Sequence, residues 1–124
     1  MKDNLLTIGY STLADRLKNI SAPEVNVPHE VFISIQNPKG IEYSLPTNFE
    51  FSSVNSNEIG VAKSRNVVLN STQTKYLLFA DDEIVFVSDG IKSAISYLEA
   101  SPDCDLVLAQ AVDTKGALLS LIHI

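Results

Sequence analysis

Apolar residues in this chain fall into short runs separated by polar loops. Runs of this length, rich in β-branched and aromatic residues, predict buried strands. The runs are Leu5–Tyr10, Val31–Gln36, Phe49–Val54 (the weakest), Lys75–Ala80, Leu106–Ala111 and Ala117–Ile122. The run Lys75–Ala80 is continuous and apolar, which predicts a strand covered on both faces. Asp113–Gly116 separates the last two runs and has the composition of a turn, so we expect these runs to form a hairpin.

Three segments between the runs have apolar residues at helical spacing, namely Leu13–Ile20, Ile59–Asn70 and the stretch that begins at Ser88. Ser11 or Thr12 is a suitable N-cap for the first of them. Gly9, just before, is a position where the backbone leaves room for a ligand. Because the predicted strands alternate with helices, the sequence predicts an α/β fold with a mostly parallel sheet and flanking helices. We expect residues 1–124 to form a single domain.

The composition is that of an ordinary globular protein and not of a disordered one. The chain has 124 residues, of which 45% are hydrophobic and 19% charged, and its formal net charge is −6. This acidic balance argues against a protein that binds nucleic acid by neutralising phosphates. The basic residues are scattered and form no basic stripe.

The sequence contains one cysteine, Cys104, which excludes an intrachain disulfide and a cysteine-based zinc site. A single cysteine fits a reducing compartment. No apolar run approaches the roughly 20 residues that span a bilayer, and the first residues lack the order of a signal peptide. The sequence therefore predicts a cytoplasmic protein.

Three acidic residues in a row, Asp81, Asp82 and Glu83, follow the apolar run Lys75–Ala80 directly. In an open α/β sheet, ligands bind outside the carboxyl ends of the strands. Neighbouring carboxylates repel each other unless they are solvated or bridged by a cation. The cluster therefore predicts a divalent cation that holds a diphosphate, because hard cations take oxygen ligands from Asp and Glu. The alternative is a solvated turn.

Other polar residues are expected near the same place. Lys63 and Arg65 lie on the helix that begins near Gly60, where the helix N-terminus favours anions and arginine suits phosphate. Their alternative is an exposed helix face. Gln36 and Asn37 stand at a strand end and are candidates to bind a nucleobase edge, or else they cap a turn.

Two motifs together resemble the core of the family 2 glycosyltransferases, which have the GT-A fold. They are Gly60–Asn66 (Gly-Val-Ala-Lys-Ser-Arg-Asn) and Tyr76–Glu83 (Tyr-Leu-Leu-Phe-Ala-Asp-Asp-Glu). The sequences of these motifs are similar to those of the bacterial branch that builds surface polysaccharides. The stretch Ile35-Gln36-Asn37 is similar to that branch as well. The resemblance extends over most of residues 5–112. It implies a nucleotide-diphosphate sugar as donor and a glycan or a lipid-linked molecule as acceptor.

The resemblance also implies roles for individual residues. The acidic motif would bind Mn²⁺ or Mg²⁺, with Asp81 on the ribose and metal side, Glu83 on the metal, and Asp82 serving the sugar or the metal. Arg65 would contact the base or phosphates, and the segment at Tyr10 and Ser11 the nucleoside.

The sequence departs from the family pattern in two places. The last motif position is Glu83 instead of aspartate, and Gln36-Asn37 stands where many members have an aspartate that reads the base.

Members of that family continue well beyond the length of this sequence, and the acceptor site and the catalytic base of inverting members lie in their second half. We therefore expect residues 1–124 to be the donor-binding half, located in the cytoplasm or at the inner membrane face. Its apolar last strand, without a partner, predicts self-association through the C-terminal edge. The alternative function is a non-catalytic nucleotide-sugar-binding or interaction module with the same fold.

Overall fold

A computed structural model describes residues 5–106 and, for the backbone alone, the short strands Ala111–Val112 and Leu118–Ser120. The chain divides into two compact units, Met1–Ile91 and Lys92–Ile124. The elements in chain order are β1 (Leu6–Leu13), a 3₁₀ helix (Ala14–Asn19), β2 (His29–Gln36), β3 (Ser52–Ser56), α1 (Val61–Ser71), β4 (Tyr76–Ala80), α2 (Ser88–Ala100), β5 (Ala111–Val112) and β6 (Leu118–Ser120).

The first unit is built on a four-stranded sheet in the order β3-β2-β1-β4. Every neighbouring pair in it is parallel. The predicted α/β class and the parallel sheet are therefore confirmed, in an arrangement compatible with a Rossmann-like fold. The register pairs Leu13 with Gln36 and Gln36 with Ser56, so the carboxyl ends of three strands meet at one edge.

The core lies on both faces of the two central strands. Ile8, Ile33 and Ile35 are at most 1% exposed. These three side chains share one face of the sheet. On the other face α1 packs against β1 and β2, with Val68 fully buried. Side chains alternate between the faces of a strand, so burying both faces of β1 and β2 requires the apolar runs that the sequence contains.

Gly9 makes the close contact between β1 and α1 possible. A Cβ atom at this position would overlap Cγ1 of Val68 and come within 3.2 Å of a Leu77 methyl group. The expectation that Gly9 leaves room for a ligand is therefore wrong, because the space is taken by the helix.

The start of the chain differs from the predicted pattern in one further respect. Ser11 and Thr12 do not cap a helix but continue β1, where they pair with Ser34 and Ile35 of β2. The strand ends at Leu13, and the segment that follows is a 3₁₀ helix without a side-chain cap. The helix predicted over Leu13–Ile20 is thus a 3₁₀ helix that is one residue shorter at each end, and strand pairing holds Leu13.

The other two predicted helices are confirmed as α1 and α2. Among the residues that the structure describes, no helix combines the length and apolarity that crossing a bilayer requires.

The prediction that Lys75–Ala80 is covered on both faces is wrong in the described structure. β4 pairs with β1 and forms an edge of the sheet, and Phe79 is 42% exposed. Leu106, at the start of the next predicted strand, is exposed and outside any strand, and residues 107–110 lie outside the described part. β5 and β6 pair antiparallel, as the predicted hairpin requires, whereas the Asp113–Gly116 turn is not among the described residues.

Candidate functional site

A cleft of about 380 Å³ lies at the carboxyl ends of β1, β2 and β4, beside the start of α1. Three apolar residues, Leu13, Ile59 and Val61, form part of its wall. The remaining side chains of the wall are polar or charged: Ser11, Thr12, Arg16, Gln36, Ser64, Asp81 and Asp82. The parallel sheet therefore brings together polar residues that are up to 71 positions apart in the chain.

Arg16 and Asp82 form the central ion pair of this cleft. The arginine Nε donates to Oδ2 of Asp82 at 2.8 Å and its Nη2 donates to Oδ1 at 3.0 Å. Thr12 also donates from Oγ1 to Oδ2, at 3.1 Å. A bidentate arginine–carboxylate pair is among the stronger hydrogen-bonded contacts in proteins. Both oxygens of Asp82 are therefore engaged by the chain's own residues.

The ion pair shifts the protonation equilibria of both partners. The hydrogen bonds from Arg16 lower the pKa of Asp82 below its usual value; burial opposes this shift and the bond from Thr12 adds to it. The same contact, together with the charge of Asp82, raises the pKa of Arg16. Asp82 is thus held as a carboxylate at neutral pH.

The two acidic neighbours of Asp82 are much more exposed. The side chain of Glu83 is 67% exposed, lies 3.4 Å from Nη2 of Arg16 and accepts a hydrogen bond from Asn19. The side chain of Asp81 is 69% exposed, with one oxygen 3.9 Å from Nη2 of Arg65. Three carboxylates thus face two guanidinium groups, which leaves one negative charge uncompensated within these pairs.

Gln36 and Asn37, for which the sequence predicts the same role, have different surroundings. Gln36 is 5% exposed, lines the cleft, and donates from Nε2 to the carbonyl oxygen of Gly60 at 3.0 Å. Its amide oxygen is the group that remains to accept a hydrogen bond from a ligand. Asn37 instead uses its side chain in the turn, bonding the backbone N–H and C=O of Ile41.

Gly60 connects this amide to the amino end of α1. It is the N-cap residue, no side chain caps the helix there, and its φ of +125° is a conformation that side chains disfavour. The first turn of α1, beginning at Val61, lines the cleft. Backbone N–H groups at the start of a helix, together with the helix dipole, favour an anion.

Ser11 and Tyr10 are adjacent in β1 but lie on opposite faces of the sheet. Ser11 lines the cleft, and its Oγ is buried without a hydrogen-bond partner among the described residues. Tyr10 is 1% exposed and packs edge-on against Phe86. Burial raises the pKa of Tyr10 to about 12. Its ring is part of the core, and it is not one of the residues that line the cleft.

Lys63 and Arg65 both lie on α1 and are both exposed. Arg65 reaches toward the acidic cluster, because its guanidinium contacts Asp81 and lies 5.9 Å from the centre of the Phe79 ring. Neither side chain lines the cleft.

The cation expected from the sequence fits part of this arrangement. Within the described residues, no group of three His, Cys, Asp or Glu side chains is placed to hold a metal ion. Mg²⁺, however, is usually bound by one or two carboxylates together with substrate phosphates. Asp81 is the exposed carboxylate that lines the cleft and suits such a site, whereas Glu83 is exposed but is not among the lining residues. Asp82 does not suit it, because Arg16 and Thr12 already occupy its oxygens.

Sequence reasoning missed Arg16, which is the closest cationic neighbour of the acidic cluster. The signal was present, since Arg16 follows the first predicted strand and the carboxyl ends of parallel strands meet at one edge. The apolar spacing of Leu13–Ile20 predicts a helix but does not indicate which side chain its polar residues meet.

Searches against models of known protein families and against curated proteins find no match for this chain. The resemblance to glycosyltransferases therefore depends on the residues of its two motifs and on the parallel sheet that carries them.

Proposed function

We propose that this chain binds the nucleoside diphosphate portion of a nucleotide sugar in the carboxyl-end cleft, as the donor-binding part of a family 2 glycosyltransferase with the GT-A fold. The observation that carries the proposal is the convergence of the uncapped start of α1 at Gly60 with Gln36 and the exposed carboxylate of Asp81. An anion-favouring helix end and a carboxylate in one cleft suit a phosphate that reaches the protein together with a cation.

Different residues of the cleft would bind different parts of the ligand. The first-turn amides of α1 would hold phosphate oxygens, and the amide oxygen of Gln36 would accept from a base or a ribose hydroxyl. The unpartnered hydroxyl of Ser11 supplies a further donor and acceptor on the nucleoside side. Arg65, which reaches Asp81, would approach the phosphates. These residues would therefore bind the nucleoside diphosphate, which is the leaving group when the sugar is transferred.

Asp81, with Glu83 as the second exposed carboxylate of the acidic cluster, would hold a divalent cation, Mn²⁺ or Mg²⁺, that arrives with the diphosphate. When bound, it would neutralise the charge that the diphosphate gains as its bond to the sugar breaks. The one uncompensated carboxylate of the acidic cluster favours the arrival of such a cation. Arg16 would keep Asp82 in place through their bidentate contact.

The experiment is calorimetric titration of the chain with a UDP-sugar and with a GDP-sugar, with and without MnCl₂. We expect saturable binding of at least one donor that needs Mn²⁺ and that weakens about tenfold or more in Asp81→Asn, the scale of losing a contact to a charged group. Glu24→Gln is the matched control, since it removes one exposed acidic charge away from the cleft. Absence of binding to either nucleotide with Mn²⁺ would refute the proposal.

A non-catalytic nucleotide-sugar-binding module is the second candidate, and one observation favours it. The oxygens of Asp82 are already bonded within the chain, which leaves one acidic side chain fewer to act on substrate. Release of free UDP or GDP from a donor, lost in Asp81→Ala and in Glu83→Ala, would support the enzyme. Metal-dependent binding without such turnover would support the module.

A further inference from the structure

A second cavity lies at the amino ends of the strands, opposite to the cleft. Its volume is about 1160 Å³, and it is bordered by the start of β2, the segment that leads into β3, and the end of α1 at Ser71. We call it the amino-end groove. It shares no lining residue with the cleft, so what it binds can be tested separately from nucleotide binding.

Three phenylalanine rings, of Phe32, Phe49 and Phe51, line the amino-end groove. All three side chains are partly exposed. The centres of the Phe49 and Phe51 rings are 5.3 Å apart and their planes are tilted by 47°. The face of an aromatic ring attracts a cation, so these rings are candidate partners for a positively charged group.

The acidic groups at the groove are Glu30 and Glu50, which line it and are exposed. In the described part of the chain no lysine or arginine lines it; the one further titratable lining residue is His29, whose Nδ1 lies 2.7 Å from the carbonyl oxygen of Val27. Within the described part of the chain, neither carboxylate takes part in an ion pair. The carboxylates therefore have no cationic neighbour of the kind that each acid of the carboxyl-end cluster has.

The end of α1 adds to the same electrostatic preference. Ser71, the last residue of α1, lines the groove, and the last turn of the helix carries no basic residue. The carboxyl end of a helix bears a partial negative charge that favours cations. Ring faces, two carboxylates and a helix end thus all favour a positively charged, partly apolar occupant.

We propose that the amino-end groove binds a basic segment of another polypeptide, with a lysine or arginine side chain over the phenylalanine rings between Glu30 and Glu50. The volume supports a polypeptide, because it exceeds the roughly 300–1,000 Å³ of pockets that enclose small molecules. Lysine and arginine also carry an apolar stem that can pack on the rings while the charge stays near the carboxylates.

The test is fluorescence anisotropy with a labelled short peptide of alternating lysine and leucine, and with its glutamate-for-lysine counterpart. We expect the lysine peptide to bind, the glutamate peptide not to bind, and added salt to weaken the complex, since exposed charges are screened. Amide NMR shifts on titration should map to the groove. No binding of the lysine peptide, or shifts confined to other surfaces, would overturn the proposal.

Two variants and one matched control distinguish binding at the groove from attraction to the net negative charge of the protein. Phe49→Leu keeps an apolar side chain but removes the ring, and it should weaken peptide binding about two- to fivefold, the scale of one exposed cation–ring contact. Glu50→Gln should weaken it by a similar factor and remove part of its salt dependence. Glu42→Gln removes the same charge from an exposed position outside the groove and should leave binding unchanged.

Several outcomes would refute this assignment. Equal effects of Glu50→Gln and Glu42→Gln would show attraction to net charge alone. Tetramethylammonium chloride that binds as tightly as the peptide would show a small-cation site instead of a polypeptide site. If Phe49→Leu does not fold, Glu50→Gln still decides, because its side chain is exposed.

Discussion

The two ends of the parallel sheet hold acidic residues in different states. At the carboxyl end, Asp81, Asp82 and Glu83 each have a guanidinium group within 4 Å. At the amino end, Glu30 and Glu50 have no ion-pair partner within the described residues. A row of acids in a sequence is therefore a poor measure of unpaired charge, whereas two distant acids brought to one groove can supply more of it.

The difference has consequences for ligands at each end. The carboxyl-end cleft has hydrogen-bond partners fixed in advance by Arg16, Thr12 and Gln36, so a ligand there meets a site that is largely organised. The amino-end groove offers aromatic surface and solvated charge, which suits a partner that brings its own cation. α1 joins the two regions, because it begins at the cleft and ends at the groove.

The largest expected effect comes from the contact that fixes α1 between the two ends. Gly9→Ala would place a methyl group into Val68, and overpacking of this kind costs typically about 1–3 kcal/mol. We expect a lower free energy of unfolding in urea and weaker ligand binding at both ends, because both borders of the helix would shift.

Gly90→Ala is the matched control for this substitution. Gly90 lies in the first turn of α2, where a Cβ atom would come no closer than 4.0 Å to Val87, and alanine has a higher helix propensity than glycine. This variant should be as stable as the parent or more so. A Gly9→Ala protein of unchanged stability would contradict the packing account of β1 and α1.

The Arg16–Asp82 pair predicts a dependence of stability on pH. The folded-state pKa of Asp82 is lowered, so the pair contributes stability above the unfolded-state pKa of about 3.9, and this contribution is lost as pH falls through the lower folded-state value. Arg16→Gln should therefore reduce stability at neutral pH, and the difference from the parent should narrow in acid. Urea unfolding at a series of pH values measures this.

Glu30→Gln is the comparison at the other end, since Glu30 has no ion-pair partner within residues 5–106. Its unfolding curve should follow that of the parent at every pH tested. If Arg16→Gln and Glu30→Gln behaved alike, the distinction between paired and unpaired acids at the two ends would not hold.

The sequence predicted the fold better than it predicted the site. Apolar runs on the central strands predict burial directly, and β1 and β2 appear where those runs are. The charge partner of Asp82 depends on two segments 66 residues apart that meet only when the parallel strands align. The edge position of β4 likewise depends on strand order, which the apolar run itself does not encode.

Tyr10→Phe tests whether Tyr10 contacts the nucleoside, as the sequence resemblance implies. The burial of Tyr10 argues against such a contact. The hydroxyl is buried without a partner among the described residues, so its removal should stabilise the protein by about 1 kcal/mol. Because Tyr10 does not line the cleft, nucleotide binding should stay unchanged. Weaker nucleotide binding at unchanged stability would instead assign Tyr10 to the ligand and extend the cleft into the core.

The smallest effects on stability are expected at the amino-end groove. Glu50→Gln and its control Glu42→Gln alter exposed side chains without ion-pair partners in the described structure, so each should change the free energy of unfolding by less than about 0.5 kcal/mol. Thermal and urea unfolding check this. A marked loss of stability in Glu50→Gln alone would mean that this carboxylate supports the fold, and its place at the groove would then need no external partner to explain it. Unchanged stability combined with weaker peptide binding would leave recognition as the role of the groove.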